Sequence, residues 1–221
     1  MSKEEIYAKL SESVTEMDED MAAEAAQEAL DAGLDPLACI SGGLSAGMQI
    51  MSERFDEGEA FVPELLMASE AFEAAVNILT SGLSDEDKSK AKEGTVVIHT
   101  VQGDIHDIGK NIVKTMFEAN NFEVYDMGRD VAVEDVIEKA KEVNADLIVG
   151  SALMTTTMPA QRDEINLLKE DGIRDQFICM YGGAPVSAEW CEQIGADAYT
   201  DSATEAVEVA KKLIAQKKAA N

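Results

Sequence analysis

Basic residues are scarce in this chain of 221 residues. Only 18 lysines and arginines stand against 44 aspartates and glutamates, which gives a formal net charge of −26. Nucleic-acid binding requires basic patches that neutralise phosphates, so this charge balance argues against a nucleic-acid partner. The same deficit argues against docking on anionic lipid. We therefore expect neither a nucleic acid nor a membrane among the partners.

Long hydrophobic runs are also missing. No apolar segment approaches the roughly 20 residues that a membrane-spanning helix requires. The first residues, Met1–Glu5, are mostly polar or charged and do not form a secretory signal peptide. We expect a cytoplasmic protein with an ordinary core, folded as one large domain or two modest ones.

Cysteine and histidine are too few and too dispersed for a metal site with several such ligands. Cys39, Cys179 and Cys191 form no CxxC pair, whereas zinc and iron–sulfur sites need clustered ligands. We expect three buried, reduced thiols. The only histidines are His99 and His106, which excludes a site built from several imidazoles.

Helical patterns fill the first 82 or so residues. Ser2 and Asp18 are suitable N-caps for the first two helices, and Pro63 fits the first turn of a fourth. A third pattern begins near Pro36 and reaches Gly58. Four amphipathic helices with short loops predict a small bundle.

A polar and charged segment, residues 83–94, follows the helices and predicts a linker. We accordingly expect a helical domain over residues 1–91 and a second domain over residues 92–221.

The second domain has an alternating pattern of strands and helices. Strands are predicted at residues 95–101, 122–127, 146–151, 176–181 and 197–200. Helices are predicted between and after them, at residues 109–120, 133–144, 158–171, 187–194 and 203–217. The alternation predicts an α/β fold, a doubly wound, five-stranded parallel sheet of flavodoxin-like (Rossmann-like) order.

One histidine lies on the loop after the first strand, where such sheets bind ligands. The residues of this loop are Gly103, Asp104, Ile105, His106, Asp107, Ile108 and Gly109. His106 is either a solvated loop histidine or a metal ligand whose second ring nitrogen is held by Asp104. The loop alone leaves both interpretations open.

Nearby residues have structural interpretations. His99 lies inside the first strand and is expected in the core. Asp107 suits a helix N-terminus, where negative charge is favourable. Lys110 either neutralises a nearby group or belongs to a solvated helix face, and the solvated face is the favoured interpretation. Small residues end the third and fourth strands, at Ser151 and at Gly182; they fit either ordinary turns or an opening for a flat ligand.

Taken together, these features resemble the signature of cobalamin-binding domains. The pattern is Asp104-x-His106-x-x-Gly109, then after 41 residues Ser151-x-Leu153, then after 28 residues Gly182-Gly183. The segment Phe55–Leu65 resembles the helical cap of methionine synthase and of corrinoid methyl-carrier proteins. The runs Ser151–Met158 and Gly182–Ser187 are most similar to corrinoid proteins of methylamine and quaternary-amine methyl transfer. The resemblance covers nearly the whole chain.

The resemblance implies a role for each matching residue. His106 would be the lower axial ligand of cobalt, Asp104 would bond its other nitrogen, and Thr157 would extend the relay where methionine synthase has serine. The remaining cofactor contacts would come from the loop 103–109, from a slot for the nucleotide tail, and from cap residues above the cobalt. These are Gly103, Ile105, Asp107, Ile108, Gly109, Ser151, Leu153, Thr155, Gly182, Gly183, Phe55 and Val62.

The function that the resemblance implies is carriage of a methyl group on cobalamin (methylcobalamin, hydroxocobalamin or a related corrinoid). A substrate-specific methyltransferase would load the methyl group from a methylamine or a betaine. An acceptor methyltransferase would pass it to a thiol coenzyme or a tetrahydrofolate-type pterin, with cobalt cycling between Co(I) and methyl-Co(III). A reductive activating protein would restore Co(I), and the chain alone would not be catalytic.

Three alternatives stay open at this stage. One is a cobalamin-binding regulator or photoreceptor, although a regulator usually adds a basic DNA-binding segment and this sequence has none. Another is the cobalamin subunit of a mutase, which the cap-like helices disfavour. If the resemblance misleads, the alternative is a flavodoxin-like protein that binds a nucleotide or a flavin.

Overall fold

The structure is a computed structural model that describes residues 2–83 and 92–220. Most of the predicted linker, residues 84–91, lies outside the described residues. The chain divides into two compact units, Met1–Glu93 with Glu118–Asn121 and Gly94–Phe117 with Phe122–Asn221. The domain boundary that the sequence places after residue 91 stays a prediction.

The N-terminal unit is built from helices. They are α1 (Lys3–Thr15), α2 (Glu19–Asp31), α3 (Pro36–Cys39), α4 (Ser45–Asp56) and α5 (Val62–Leu79), with a π-helical turn, Ile40–Leu44, between α3 and α4. Ser2 and Asp18 cap α1 and α2 as predicted, because each side chain accepts a hydrogen bond from a backbone N–H of the first turn. Pro63 lies in the first turn of α5.

The third predicted helix is continuous only if the π-helical turn is counted. At this place the chain packs closely on α1: a Cβ on Gly43 would lie 2.9 Å from Cβ of Leu10, and one on Gly47 would lie 2.5 Å from the carbonyl oxygen of Ser11. Glycine is therefore required at both positions, and the π-helical turn lies at this close approach. With that local change, the predicted four-helix arrangement is confirmed.

The C-terminal unit alternates strands and helices. Its elements are β1 (Thr95–Thr100), α6 (Ile108–Ala119), β2 (Glu123–Asp126), α7 (Val133–Glu142), β3 (Leu147–Ser151), α8 (Pro159–Glu170), a 3-10 turn (Arg174–Gln176), β4 (Ile178–Gly182), α9 (Ala188–Ile194) and α10 (Ala203–Ala220). The strands are parallel and lie in the order β2-β1-β3-β4. This is the predicted flavodoxin-like order. The direction of winding reverses beside β1, so ligands are expected at the carboxyl ends of β1 and β3.

The predicted fifth strand, residues 197–200, is wrong as a full strand. Ala198 makes a single parallel bridge to Met180 of β4. The Asp197 carboxylate accepts a hydrogen bond from the backbone N–H of Cys179 at 2.7 Å and another from Arg174 at 2.7 Å. The Asp197 side chain thus occupies the backbone N–H of Cys179, which a neighbouring strand would otherwise pair. The described sheet therefore has four strands.

The two faces of the sheet are covered by different helices. One face packs against α7, α8 and α9 in the larger apolar cluster. On the opposite face, Ile98, Val149 and Met180 are direct neighbours across β1, β3 and β4, and α6 and α10 lie on that side. His99 is buried in β1, so its predicted core position is confirmed.

The three cysteines are buried and free, as predicted. Within residues 2–83 and 92–220, no helix combines the length and the apolar character that crossing a membrane requires. The same part of the chain holds no group of three or more His, Cys, Asp or Glu side chains arranged for a metal ion.

Candidate functional site

The loop between β1 and α6 is organised around the buried carboxylate of Asp104. Its Oδ1 accepts hydrogen bonds from Nδ1 of His106 at 2.7 Å and from the backbone N–H of the same residue at 3.0 Å. Its Oδ2 accepts from the Thr157 hydroxyl at 2.7 Å and from the backbone N–H of Leu153 at 2.8 Å. A further backbone N–H, from Met154, lies at 3.3 Å. One side chain thus joins the loop after β1 to the turn after β3.

These hydrogen bonds decide the charge of Asp104. Burial by itself raises the pKa of a carboxyl group, but the donors from Thr157, His106 and Leu153 outweigh burial and hold the pKa of Asp104 well below its usual range. The carboxylate is therefore ionised at neutral pH and can only accept. The Thr157 hydroxyl also lies 2.9 Å from the carbonyl oxygen of Met154, and its one proton is better used on the nearer, charged acceptor.

An ionised Asp104 also decides the tautomer of His106. Because Asp104 only accepts, Nδ1 of His106 carries a proton, and in the neutral imidazole Nε2 then has the lone pair. The His106 side chain is 45% exposed. The imidazole is thus held at one nitrogen and presents the other as a metal ligand, which is the carboxylate–histidine arrangement typical of metal sites.

Apolar side chains surround this imidazole without being covered by protein. Ile108 is 79% exposed and Ile105 is 61% exposed on the loop itself, while Leu153 and Met154 are exposed on the adjoining turn. Exposed apolar residues grouped around a polar centre mark a binding surface. A flat, largely apolar ligand with a metal at its centre suits this surface.

A cavity of about 280 Å³ opens beside the loop, between the sheet and helices α6 and α10. Its floor includes the apolar row Ile98, Val149 and Met180. In the next row toward the carboxyl ends, Thr100, Ser151 and Gly182 are neighbours in register, so the side chains become smaller there. We call this part of the cavity the slot; its lining residues are Ile98, Val149, Ser151, Met180 and Gly182. The slot widens toward the edge of the sheet where ligands are expected.

Gly182, the last residue of β4, and Gly183, the residue after it, serve different purposes. A Cβ on Gly182 would meet no protein atom within 4 Å, so the missing side chain keeps the slot open. A Cβ on Gly183 would overlap the carbonyl oxygen of Ala152, and Gly183 has a φ of +125°. Gly182 therefore leaves room for a ligand, whereas Gly183 is required by the fold.

Lys110 corrects the sequence interpretation of a solvated face. Its side chain is buried, and Nζ lies 2.6 Å from Oδ1 of Asp126 and 2.7 Å from Oδ1 of Asn111. Burial raises the pKa of Asp126, but the hydrogen bond from Lys110 and a backbone N–H from Gly128 outweigh it and lower that pKa. Lys110 is buried because Asp126, at the end of β2, supplies the opposite charge.

Two family models, both described as a B12 binding domain, match the chain over residues 94–211 and residues 6–80. The chain is 50% identical to trimethylamine corrinoid protein 2 of Methanosarcina acetivorans, over 96% of this chain and 98% of the relative. It is 48% identical to dimethylamine corrinoid protein 1 of the same organism, over 97% of this chain and 100% of the relative. The chain belongs to the family of B12-binding corrinoid proteins.

A solved structure of this family has the same fold. The methanol:cobalamin methyltransferase complex MtaBC from Methanosarcina barkeri matches with a TM-score of 0.75 and 34% identity, over 97% of this chain and 81% of that chain. As a member of this family, the protein binds cobalamin or a related corrinoid. Its own geometry fits such a group, because a single exposed imidazole nitrogen stands among uncovered apolar side chains beside an open, mostly apolar slot.

The structure brings most of the predicted site residues together. Asp104, His106 and Thr157 form one hydrogen-bonded chain. The cavity is lined by Ser151, Gly182, Gly183 and Gly109. Leu153 donates its backbone N–H to Asp104 and exposes its side chain. The other loop residues take positions around this chain: Gly103 (φ +83°), Ile105 and Ile108 are exposed, and Asp107 directly precedes α6.

The cofactor contacts of all these residues stay predictions, including those of three residues outside this group. Thr155 is exposed on the turn after β3. Phe55 lies on α4 and Val62 begins α5, both partly buried within the N-terminal unit. Their roles toward the cofactor rest on the resemblance.

Sequence reasoning missed the residues whose part in the site depends on sheet register. Ile98, Val149 and Met180 look like ordinary core residues in the sequence, and only the pairing of the strands makes them one row. Gln161 was also missed, although its buried amide bonds the ends of β3 and β4. The one signal that the sequence offered was the helical spacing of Gln161 and Glu164 with the apolar Ile165 and Leu168 on one face of α8.

Proposed function

We propose that this protein carries a methyl group on a bound corrinoid between two methyltransferases, with a methylated amine as the source. The observation that supports this most directly is the His106 imidazole, which is held at Nδ1 by a buried, ionised Asp104 and exposed at Nε2. An imidazole held in this way would be a suitable ligand for the cobalt ion of a corrin. The bound corrinoid supplies a cobalt centre that accepts a methyl group and gives it up again.

The chain's own residues hold that group in three ways. Nε2 of His106 would hold the cobalt, and Asp104 would keep the Nδ1 proton in place so that the lone pair stays on Nε2. The exposed side chains of Ile105, Ile108 and Leu153 contact the apolar ring. The slot takes the nucleotide tail, since a cavity of about 280 Å³ is near the lower end of ligand pockets, roughly 300 Å³, and so suits one part of a large cofactor.

Methylated amines are the favoured class of donor. The chain is 45–50% identical to relatives named as trimethylamine or dimethylamine corrinoid proteins, against 34% identity to the chain of the methanol system. That chain occurs in a methyltransferase complex, which supports a methyltransferase as a partner of this protein. The choice among tri-, di- and monomethylamine or a betaine is made by the partner, which holds the donor pocket.

The other partners follow from the proposed cycle. An acceptor methyltransferase, with a thiol coenzyme or a tetrahydrofolate-type acceptor, removes the methyl group. A reductive activating protein would restore Co(I) after the cobalt has been oxidised. The cytoplasmic location expected from the sequence is part of the same proposal.

The ligand assignment can be tested by isotope labelling. The protein is produced with nitrogen-15 histidine, reconstituted anaerobically with hydroxocobalamin and reduced to the Co(II) state for electron paramagnetic resonance. Coordination by His106 splits each cobalt line into a doublet, whereas the cofactor's own nitrogen-14 base gives a triplet. A triplet in the labelled wild type, or a doublet that persists in His106→Ala, would refute the assignment.

The donor class can be tested with purified components. The protein with reduced cobalt is mixed with a cognate amine methyltransferase and, separately, with trimethylamine, dimethylamine, monomethylamine, a betaine or methanol. We expect the absorbance change of cobalt methylation with one methylated amine and none with methanol. Methylation by methanol alone would contradict the proposed donor class.

A further inference from the structure

Gln161 is a buried side chain whose amide nitrogen and amide oxygen both have hydrogen-bond partners. It lies in the first turn of α8 and is fully buried. Its amide nitrogen donates to the carbonyl oxygens of Gly150 and Gly182, each at 3.3 Å. Its amide oxygen accepts from the indole N–H of Trp190 at 2.9 Å. Both amide protons and the amide oxygen are therefore in use.

The orientation of this amide is decided by its partners. Two carbonyl oxygens can only accept, and an indole N–H can only donate, so the reversed amide would place oxygen against oxygen and nitrogen against nitrogen. Gln161 is thus a specific connector between three elements. It joins the ends of β3 and β4 to α9, where Trp190 lies.

The two carbonyl oxygens lie at the ends of paired strands, and that of Gly182 also accepts the backbone N–H of Ala152 at 3.0 Å. Gly150 and Gly182 both line the cavity beside the loop, and neither has a side chain to pack. Gly150 cannot gain one, because its Cβ would lie 2.7 Å from the Tyr181 ring and 3.1 Å from the His99 ring. Gln161 therefore holds, from the α8 side, the backbone of two glycines that line the cavity.

We infer that Gln161 is a positioning residue that holds the backbone of Gly150 and Gly182 in place at the slot and thereby makes the protein prefer a corrinoid that has a nucleotide tail. The inference rests on the proposed placement of the tail in the slot. Gln161 touches the strand ends from the α8 side, so it acts through Gly150 and Gly182 without contacting the ligand.

The test compares two corrinoids on the apoprotein. Cobalamin has the nucleotide tail, and cobinamide has the same corrin without it. Binding of each is titrated by absorbance to wild type and Gln161→Met, which keeps the length of the side chain and removes its hydrogen bonds. We expect Gln161→Met to weaken cobalamin binding by about 10-fold, equivalent to about 1.4 kcal/mol, and to change cobinamide binding by less than about 2-fold.

A matched variant separates the two levels of the proposal. Gly182→Leu fills the slot directly and should likewise lose cobalamin preference. If wild type binds cobalamin and cobinamide equally, the placement of the tail is wrong. If wild type prefers cobalamin and Gln161→Met keeps that preference, or weakens both corrinoids equally, the role of Gln161 is wrong.

Trp190 provides a second measurement that a folding defect does not imitate. It is the only tryptophan of the chain, and its indole donates to Gln161. We expect cobinamide titrated to saturation to leave the wavelength of its fluorescence maximum unchanged and cobalamin to shift it. Should Gln161→Met not fold, Trp190→Phe removes one bond of the amide and should reduce the cobalamin preference by about 2- to 5-fold; an unchanged preference overturns the inference.

Discussion

The two histidines of this chain have similar partners but opposite environments. His99 and Glu164 are both buried, with Nε2 of His99 lying 3.0 Å from a Glu164 oxygen. His106 and Asp104 are 2.7 Å apart, but the imidazole of His106 is 45% exposed. The carboxylate contacts Nε2 in the first pair and Nδ1 in the second. A histidine–carboxylate contact therefore does not identify a ligand site until the exposure of the other nitrogen is known.

The remaining contacts of the two pairs explain the difference. Glu164 also accepts the Tyr181 hydroxyl at 2.7 Å, and Nδ1 of His99 is buried without a hydrogen-bond partner in the part of the chain that the structure describes. The His99 pair connects β1, β4 and α8 inside the sheet. Around His106 the loop leaves Nε2 uncovered. The first pair belongs to the core and the second presents a ligand.

The largest expected effect comes from breaking the buried pair. Glu164→Ala leaves Nε2 of His99 and the hydroxyl of Tyr181 without their acceptor, and each such buried group costs about 1–3 kcal/mol. We expect the free energy of unfolding of the apoprotein, measured in urea, to fall by about 3–5 kcal/mol. The matched variant His106→Ala should cost less than about 1 kcal/mol, because Asp104 keeps its other donors. Equal losses in the two variants would remove the distinction.

The two glycines at the end of β4 allow the same comparison between a residue that the fold requires and a residue that leaves room for a ligand. Gly183→Ala places a methyl group on the Ala152 carbonyl oxygen at a positive φ, and we expect a loss of about 3 kcal/mol or failure to fold. Gly182→Ala meets open space, so the apoprotein should unfold within about 0.5 kcal/mol of wild type. Thermal unfolding of both apoproteins checks this. A stable Gly183→Ala would show that the strand end can shift.

Asp104→Asn should weaken the ligand without removing it. The asparagine amide has one acceptor oxygen, which the Leu153 and Thr157 donors compete for, and its NH₂ would then face Nδ1 of His106. The imidazole proton would move to Nε2, which loses its lone pair. Changes of this kind cost about 10- to 100-fold in metal affinity, measured as histidine coupling in the Co(II) spectrum.

Thr157→Ser is the control for this variant, because it keeps the hydroxyl and should leave the histidine coupling unchanged. Thr157→Val removes the hydroxyl and should weaken the coupling. Unchanged coupling in both Asp104→Asn and Thr157→Val would show that the hydrogen bonds do not orient the ligand.

The smallest effect is expected at Asp126, whose carboxylate pairs with a buried lysine. Its pKa is lowered in the folded state, so the pair stabilises the protein above the unfolded-state pKa of about 3.9 and loses this as pH falls through the folded-state value. Asp126→Asn keeps an acceptor oxygen for Nζ of Lys110 and loses only the charge, so it should cost about 1–2 kcal/mol near neutral pH. The difference from wild type should shrink below about pH 4 in urea unfolding. A difference that is constant with pH would mean that charge plays no part.

Much of the architecture was predictable because it depends on local patterns. Helix caps such as Ser2 and Asp18 act within one turn, and the run of β-branched residues in β1 indicates a buried strand wherever it pairs. The motif that contains Asp104 and His106 lies within a few residues of one loop, so its hydrogen bond was foreseeable. The spacing to Thr157 added the third member only through the resemblance to a family.

Other features required the fold. The fifth strand was overestimated because the Asp197 side chain competes for the β4 backbone, and Lys110 was placed in solvent because its partner Asp126 is 16 residues away on another strand. Neither contact follows from periodicity. A pattern indicates which residues turn inward but not which distant residue they meet.

The amino-acid order is sufficient to specify helices first, an alternating parallel sheet afterwards, and an imidazole flanked by carboxylates at the sheet's ligand-binding edge. The packed molecule decides which nitrogen of each histidine is free, how Ile98, Val149 and Met180 align into one floor, and why Gln161 faces two strand ends. The physical reason is the distance along the chain over which each effect acts. Propensities and caps act over one or two turns, whereas these choices depend on strand register and on exposure, which exist only when distant segments meet.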